Sequence, residues 1–123
     1  MRAEAARLSV PATRDYVRVV RLAASGIATN LGFDIDELDD LRVAVGELAN
    51  LALERCKPEP GTLDVVFTIA DNELRIEGTV AAVDDGAVEL EPLTRQILEA
   101  VVDDYSIQIA DGTVRFSCTR RPW

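Results

Sequence analysis

The spacing of hydrophobic residues switches repeatedly between strand and helix periods, and the switches divide the chain into elements. Leu8 and Val10 alternate before Pro11, which predicts a short first strand over 7–11. From 12 to 31, Tyr16, Val20, Ala23, Ala24, Ile27 and Leu31 recur at three- and four-residue steps, and Gly32 follows as a stop, so an amphipathic helix is expected there. Asp34 or Asp36 can cap a second helix, whose stripe of Leu38, Leu41, Val45, Leu48 and Ala52 ends before Pro58 and Pro60. The period then becomes two. Leu63, Val65, Phe67 and Ile69 alternate, Asp71-Asn72 supplies a turn, and Leu74, Ile76 and Val80 continue on a second strand. Residues 81–91 form an acidic connection of small side chains. A third helix starts at Pro92, with Leu93, Ile97, Ala100 and Val101 as its apolar residues. Tyr105, Ile107 and Ile109 lead into the turn Asp111-Gly112, and Val114, Phe116 and Cys118 complete a last hairpin. This order predicts an α+β two-layer sandwich: a mixed or antiparallel sheet covered on one face by three helices.

Composition adds the scale and the charge a partner must complement. The 123 residues suit one domain over 1–123, and 48% hydrophobic with 28% charged residues is a globular composition. A net charge of −9 argues against direct binding to nucleic acid or an anionic membrane, and leaves a protein or a cation as partner. Twelve of the thirteen basic residues are Arg, the exception being Lys57, so positive charge comes in the form suited to bidentate contacts. The first eight residues lack an apolar signal core, and no apolar run approaches the roughly 20 residues that span a bilayer, so a cytoplasmic location is expected. Cys56 and Cys118 have no CxxC spacing and there is no His, so both read as reduced cysteines and no metal site is expected.

Across 10–57 the chain reads VPATRDYVRVVRLAASGIATNLGFDIDELDDLRVAVGELANLALERCK. The VPA triplet, the YVxxxR of the first helix, the GFxxDELxDL between helices and the AVxE of the second resemble the RsbW-type anti-sigma factors, serine kinases of the GHKL ATPase superfamily. ILEAVVDDYSIQI followed by DGTVRF resembles that family's last helix and strands. The resemblance implies a Bergerat-type fold, whose ATP lid is shortened here to the connection 81–91, a sigma factor as partner, a STAS-type anti-anti-sigma protein as competing partner and phosphorylation substrate, ATP and magnesium as cofactors, and homodimerisation.

The residues that the resemblance would make catalytic are altered. Glu47 falls on the family's Glu, the implied base, but the magnesium-binding Asn four residues on is replaced by Leu51, which has no oxygen for a hard cation. Asn50 stands one residue early, rotated by roughly 100° on the helix, and reads as a solvated polar residue on the other flank of Glu47. Val80 stands at the adenine-reading Asp and Ala82 at the first Gly of the motif that follows it; valine cannot accept a hydrogen bond. Asp84-Asp85-Gly86 is a displaced echo of that motif. In place of the phosphate-cradling GxGLxL stands Pro92-Leu93-Thr94-Arg95, where Pro92 removes an amide and Thr94 replaces a glycine. The expectation is a pseudokinase: no ATP or magnesium as cofactor, and Glu47 a relic. The alternative is an active serine kinase using Asn50 or Asp84.

For partner binding, Arg14, Arg18 and Arg21 lie four and three apart on the first helix and are expected to share one exposed ridge opposite its core stripe. An electropositive ridge on an acidic protein suits acidic side chains of a sigma factor. The acidic group Asp34, Asp36, Glu37, Asp39 and Asp40 reads mainly as helix caps.

Overall fold

A computed structural model describes residues 4–58 and 61–122. Five strands, β1 (Glu4–Pro11), β2 (Thr62–Ala70), β3 (Glu73–Ala81), β4 (Asp104–Ala110) and β5 (Thr113–Arg120), form one sheet in the order β1-β2-β3-β5-β4. Every neighbouring pair is antiparallel, which settles the mixed-or-antiparallel alternative. Helices α1 (Val17–Asn30), α2 (Ile35–Glu54) and α3 (Pro92–Val101) supply the second layer. The period-two residues Leu63, Val65, Phe67, Leu74, Ile76, Val80, Val114, Phe116 and Cys118 are buried beneath them, whereas Asp64, Arg75 and Arg115 of the opposite face are exposed.

The first helix starts later than its periodicity suggests. The Ala12 amide is committed to the Gly61 carbonyl at 2.9 Å and Thr13 stays extended, so helical structure begins with a 3-10 turn at Arg14–Tyr16 and α1 follows from Val17. Tyr16 is therefore 40% exposed, and Val17, Val20, Ala24 and Ala28 make the buried stripe, with Ala23, Ile27 and Leu31 at its margin. At the other end Gly32 adopts φ +88°, with its amide on Thr29 O and that of Phe33 on Ala28 O, a Schellman stop. Asp34, rather than Asp36, caps α2: its carboxylate accepts from the Glu37 amide at 2.8 Å while Glu37 Oε1 accepts from the Asp34 amide at 2.9 Å. Helix α2 ends at Glu54, before Pro58; Pro60 lies outside the described residues.

Both hairpin turns are as the sequence suggests. Asp71 and Asn72, and Asp111 and Gly112, take left-handed φ between +52° and +72°, as two-residue turns between right-twisted strands require. The phase of α3 differs from expectation. Leu93 is 66% exposed and Ala100 is exposed, while Thr94, Ile97, Leu98 and Val101 turn inward at i, i+3, i+4 and i+7. Only one flank of this ten-residue helix meets α2 and β4, so a narrow stripe suffices.

Candidate functional site: an acidic cleft, a pinned strap and an arginine flank

Helix α2 presents Glu47, Asn50, Leu51 and Glu54 to a cleft of about 240 Å³, closed on the other side by Glu89, Glu91 and Thr94. Asn50 lies three residues from Glu47, about 60° round the helix, and both reach the same cleft. This corrects the expectation of a purely solvated Asn50: it is half-buried, as are Glu47 and Leu51. Four carboxylates thus line one small space. Glu91 is the N-cap residue of α3, its side chain makes no capping hydrogen bond, and Pro92 occupies the first helical turn, where an amide would otherwise point outward.

The connection between β3 and α3 is tied down at its start. The Arg55 guanidinium, just past the end of α2, donates from Nη2 to Asp84 Oδ1 at 2.7 Å and to Gly86 O at 3.3 Å, and from Nη1 to Ala87 O at 3.1 Å. The Val83 amide donates to Arg55 O at 2.9 Å, and the Gly112 amide to Asp85 Oδ1 at 3.0 Å. Asp84 also accepts from the Gly86 amide at 2.8 Å. That backbone bond first, and the Arg55 hydrogen bond second, hold its carboxyl below the usual range. Asp84 and Asp85 are thereby engaged in the strap's own structure. Val80 and Ala82, at the strap's root, are buried.

Two of the three arginines are brought to the seam between α1 and α2, not to the ridge expected. Arg14 Nη2 lies 3.6 Å from Glu54 Oε1 at the far end of α2. Arg21 is half-buried and runs over Gly46 of α2, where a β-carbon would meet its Cδ and Nη1 at 3.3 Å. These contacts set α1 and α2 antiparallel and place Arg14 and Arg21 beside the seam between them, not opposite the core stripe. Buried Val17, Val20 and Ala24 point towards the sheet, and seven residues from Arg14 to Arg21 are two turns, so both ends of the set meet α2. Arg18, between them in sequence, is exposed and has no hydrogen-bond or ion-pair partner among the described residues. No three His, Cys, Asp or Glu residues among the described ones are arranged to hold a metal ion.

No protein-family model matches the chain. Among curated proteins it is 34% identical over 73 residues to the serine-protein kinase RsbW of Halalkalibacterium halodurans, a match covering 59% of this chain and 45% of that protein. It is 32% identical over 76 residues to the serine-protein kinase RsbW of Bacillus thuringiensis, covering 61% and 48%. The chain is thus similar to the RsbW-type proteins over 59–61% of its length. It spans about half the length of the RsbW proteins it matches. Its fold agrees: against the crystal structure of the RsbU and RsbW domains of Rv1364c from Mycobacterium tuberculosis the TM-score is 0.74, over 96% of this chain and 32% of that one, at 20% identity.

Within this RsbW-like fold the two most engaged cations carry no motif in the sequence. Arg55 sits in an unremarked ERC triplet, and Arg120 reads there as part of a short basic tail. Yet Arg120 Nη1 donates to Val101 O at 2.8 Å and lies 3.5 Å from Asp40 Oδ2, with Nη2 4.0 Å from Glu37 Oε2, joining β5, α3 and α2. Its partners come from three elements, so no local spacing announces them. Among the described residues no helix is long and apolar enough to cross a membrane.

Proposed function

We propose that this domain works in the cytoplasm as an RsbW-like anti-sigma factor. In this reading it sequesters an alternative sigma factor of the stress or sporulation type by surface contact, pairs as a homodimer, and is released by a competing STAS-type protein. It is a GHKL-type pseudokinase that carries out no Mg-ATP chemistry. The observation that carries the reading is the cleft at Glu47.

The residues present do not fit a magnesium triphosphate. Glu47, Glu54, Glu89 and Glu91 line the space, and four like charges repel an anionic ligand strongly at separations of a few ångströms outside bulk water. Leu51 offers no oxygen to a metal, and Glu91 and Pro92 occupy the start of α3, where a phosphate would need free amides. Asp84, of the displaced Asp84-Asp85-Gly86 echo of the adenine-reading motif, is already bonded to Gly86 and Arg55. Arg14, Arg18 and Arg21 offer the positive flank that an acidic protein needs to hold an acidic partner surface.

The test mixes the purified protein with each alternative sigma factor of the same genome. A complex with at least one is expected, weakened at least tenfold by Arg18→Glu. No complex with any of them overturns the reading. One observation favours a second reading: Asn50 shares the cleft with Glu47, as a displaced magnesium ligand would. Calorimetry separates the two. Silence at millimolar ATP and magnesium is expected, whereas micromolar binding lost in Glu47→Ala would make the chain an active serine kinase acting on its STAS-type partner.

A further inference from the structure

The strand order leaves β1 and β4 as the two edges of the sheet. An edge strand offers unpaired amides and carbonyls at every second residue, and folds blunt such edges with proline, lysine or other charges along the strand. Strand β1 carries Arg7 and ends at Pro11. Strand β4 reads DYSIQIA, with a single charge at its first residue and no proline, glycine or lysine. It is also the one strand among the described residues without a buried position. Tyr105, Ile107 and Ile109 share the register of buried Cys118, Phe116 and Val114 and so face the helix layer, yet all three stay half-buried because no strand lies beyond them.

Beside this edge lies a slot of about 590 Å³, more than twice the volume of the cleft at Glu47. Val88 and Leu90 of the strap face Tyr105 and Ile107 of β4 across it, and Glu89 and Arg95 also line it. These two charges are opposite, so the slot itself is neutral on balance. Its apolar walls and the open edge share Tyr105 and Ile107. A strand laid along β4 would therefore place every second side chain between the strap and the edge. The alternate side chains would come beside Asp104, Ser106 and Gln108 on the open face of the sheet.

Charge selects the occupant. The edge is preceded by Asp103, opens on Asp104 and is followed by Asp111, and none of the three has a cation within ion-pair reach among the described residues. The chain as a whole carries −9. We infer that β4 and its slot form a docking surface for an extended segment of a partner protein, with apolar side chains at alternate positions and Lys or Arg at its ends. The segment joins the sheet as a sixth strand through main-chain hydrogen bonds, its apolar side chains enter the slot, and its cations meet Asp104 and the flanking carboxylates. This surface shares only Glu89 with the cleft at Glu47 and none of the three arginines, so it goes beyond the anti-sigma reading and does not rest on it.

The probe is the capped peptide Lys-Val-Thr-Val-Thr-Val-Lys, matched to the seven residues of β4 and symmetric, so that either strand direction sets a lysine beside Asp104. Titrated into the full chain, it is expected to bind saturably by calorimetry and to slow amide exchange in β4 while leaving β1 unchanged. The same peptide with proline at its middle position should not bind, since it cannot complete the added strand. Asp104 is exposed, so Asp104→Lys should keep the wild-type thermal midpoint and weaken binding roughly fivefold, the scale of one exposed ion pair. No saturable binding by wild type, protection that appears on β1 instead, or equal binding of the proline peptide overturns the inference, as does an unchanged affinity in Asp104→Lys. If the chain alone is a dimer whose β4 amides are already slow, the edge belongs to a second copy and the inference is likewise overturned.

Discussion

Gly78 is a position where the fold leaves no room for a side chain, and its replacement by alanine gives a direct check on the core. Gly78 on β3 pairs with Phe116 on β5, and the ring lies across the glycine. A β-carbon at Gly78 would fall 2.2 Å from Phe116 Cζ, 2.3 Å from Cε2 and 3.0 Å from Cε1, against ordinary carbon contacts of about 3.5–4.0 Å. The ring must therefore move by more than an ångström. Phe116 is fully buried, so the movement forces neighbouring side chains from their rotamers. Such overpacking costs about 1–3 kcal/mol. Alanine recovers part of glycine's entropic disadvantage in a strand, up to about 1 kcal/mol. With the one added carbon set against three atoms of the ring, we expect a net loss of about 2 kcal/mol from Gly78→Ala, read as a lower urea midpoint with unchanged slope and a fall of roughly 6–10 °C in thermal midpoint. Phe116→Leu costs stability by itself, since it empties space in the core. In the double variant the clash is gone, so the combined loss should fall short of the sum by at least about 1 kcal/mol. Additive losses, or a Gly78→Ala protein as stable as wild type, would refute the close approach.

Four further outcomes follow from particular side chains. Burial raises the Cys118 thiol to about 12, so the folded state keeps a proton that the unfolded chain loses from about pH 9; stability should fall as pH rises from 9 towards 12, with a shallower fall in Cys118→Val. Native protein should accordingly show only the half-buried Cys56 to a thiol reagent at pH 8, and Cys118 after denaturation. Arg55→Ala removes three acceptor contacts from the strap and should speed amide exchange across 83–88 while leaving that of β2 and β3 unchanged. Arg120→Met should lower stability by about 1–3 kcal/mol, seen in urea unfolding, because its hydrogen bond to Val101 O and its contacts with Asp40 and Glu37 join three elements. An unchanged midpoint would count against that role.

The sequence by itself determined the order and type of the five strands and three α-helices, because each depends on local chemistry: period-two apolar runs, a Gly32 stop, a cap at Asp34 or Asp36, and Asp71-Asn72 and Asp111-Gly112 turns. It also carried the RsbW resemblance and pointed to Glu47, Leu51, Val80 and Pro92, since those positions are read against a motif. Contacts between distant segments decided the rest. The late start of α1 follows from the Ala12 amide pairing with Gly61, forty-nine positions away, and the inward phase of α3 follows from which flank meets α2. Asn50 joins Glu47 because a cleft wall built by Glu89, Glu91 and Thr94 faces both. The gap at Gly78 in the β3 alternation looks like a weak strand position until Phe116 of β5 fills it. Likewise, the arginine spacing predicted one flank, but only the packing of α2 against α1 turned Arg14 and Arg21 to the seam and left Arg18 exposed, with no partner among the described residues. Spacing fixes a side chain's direction about its own helix axis; which side then faces water depends on the neighbours that tertiary packing brings.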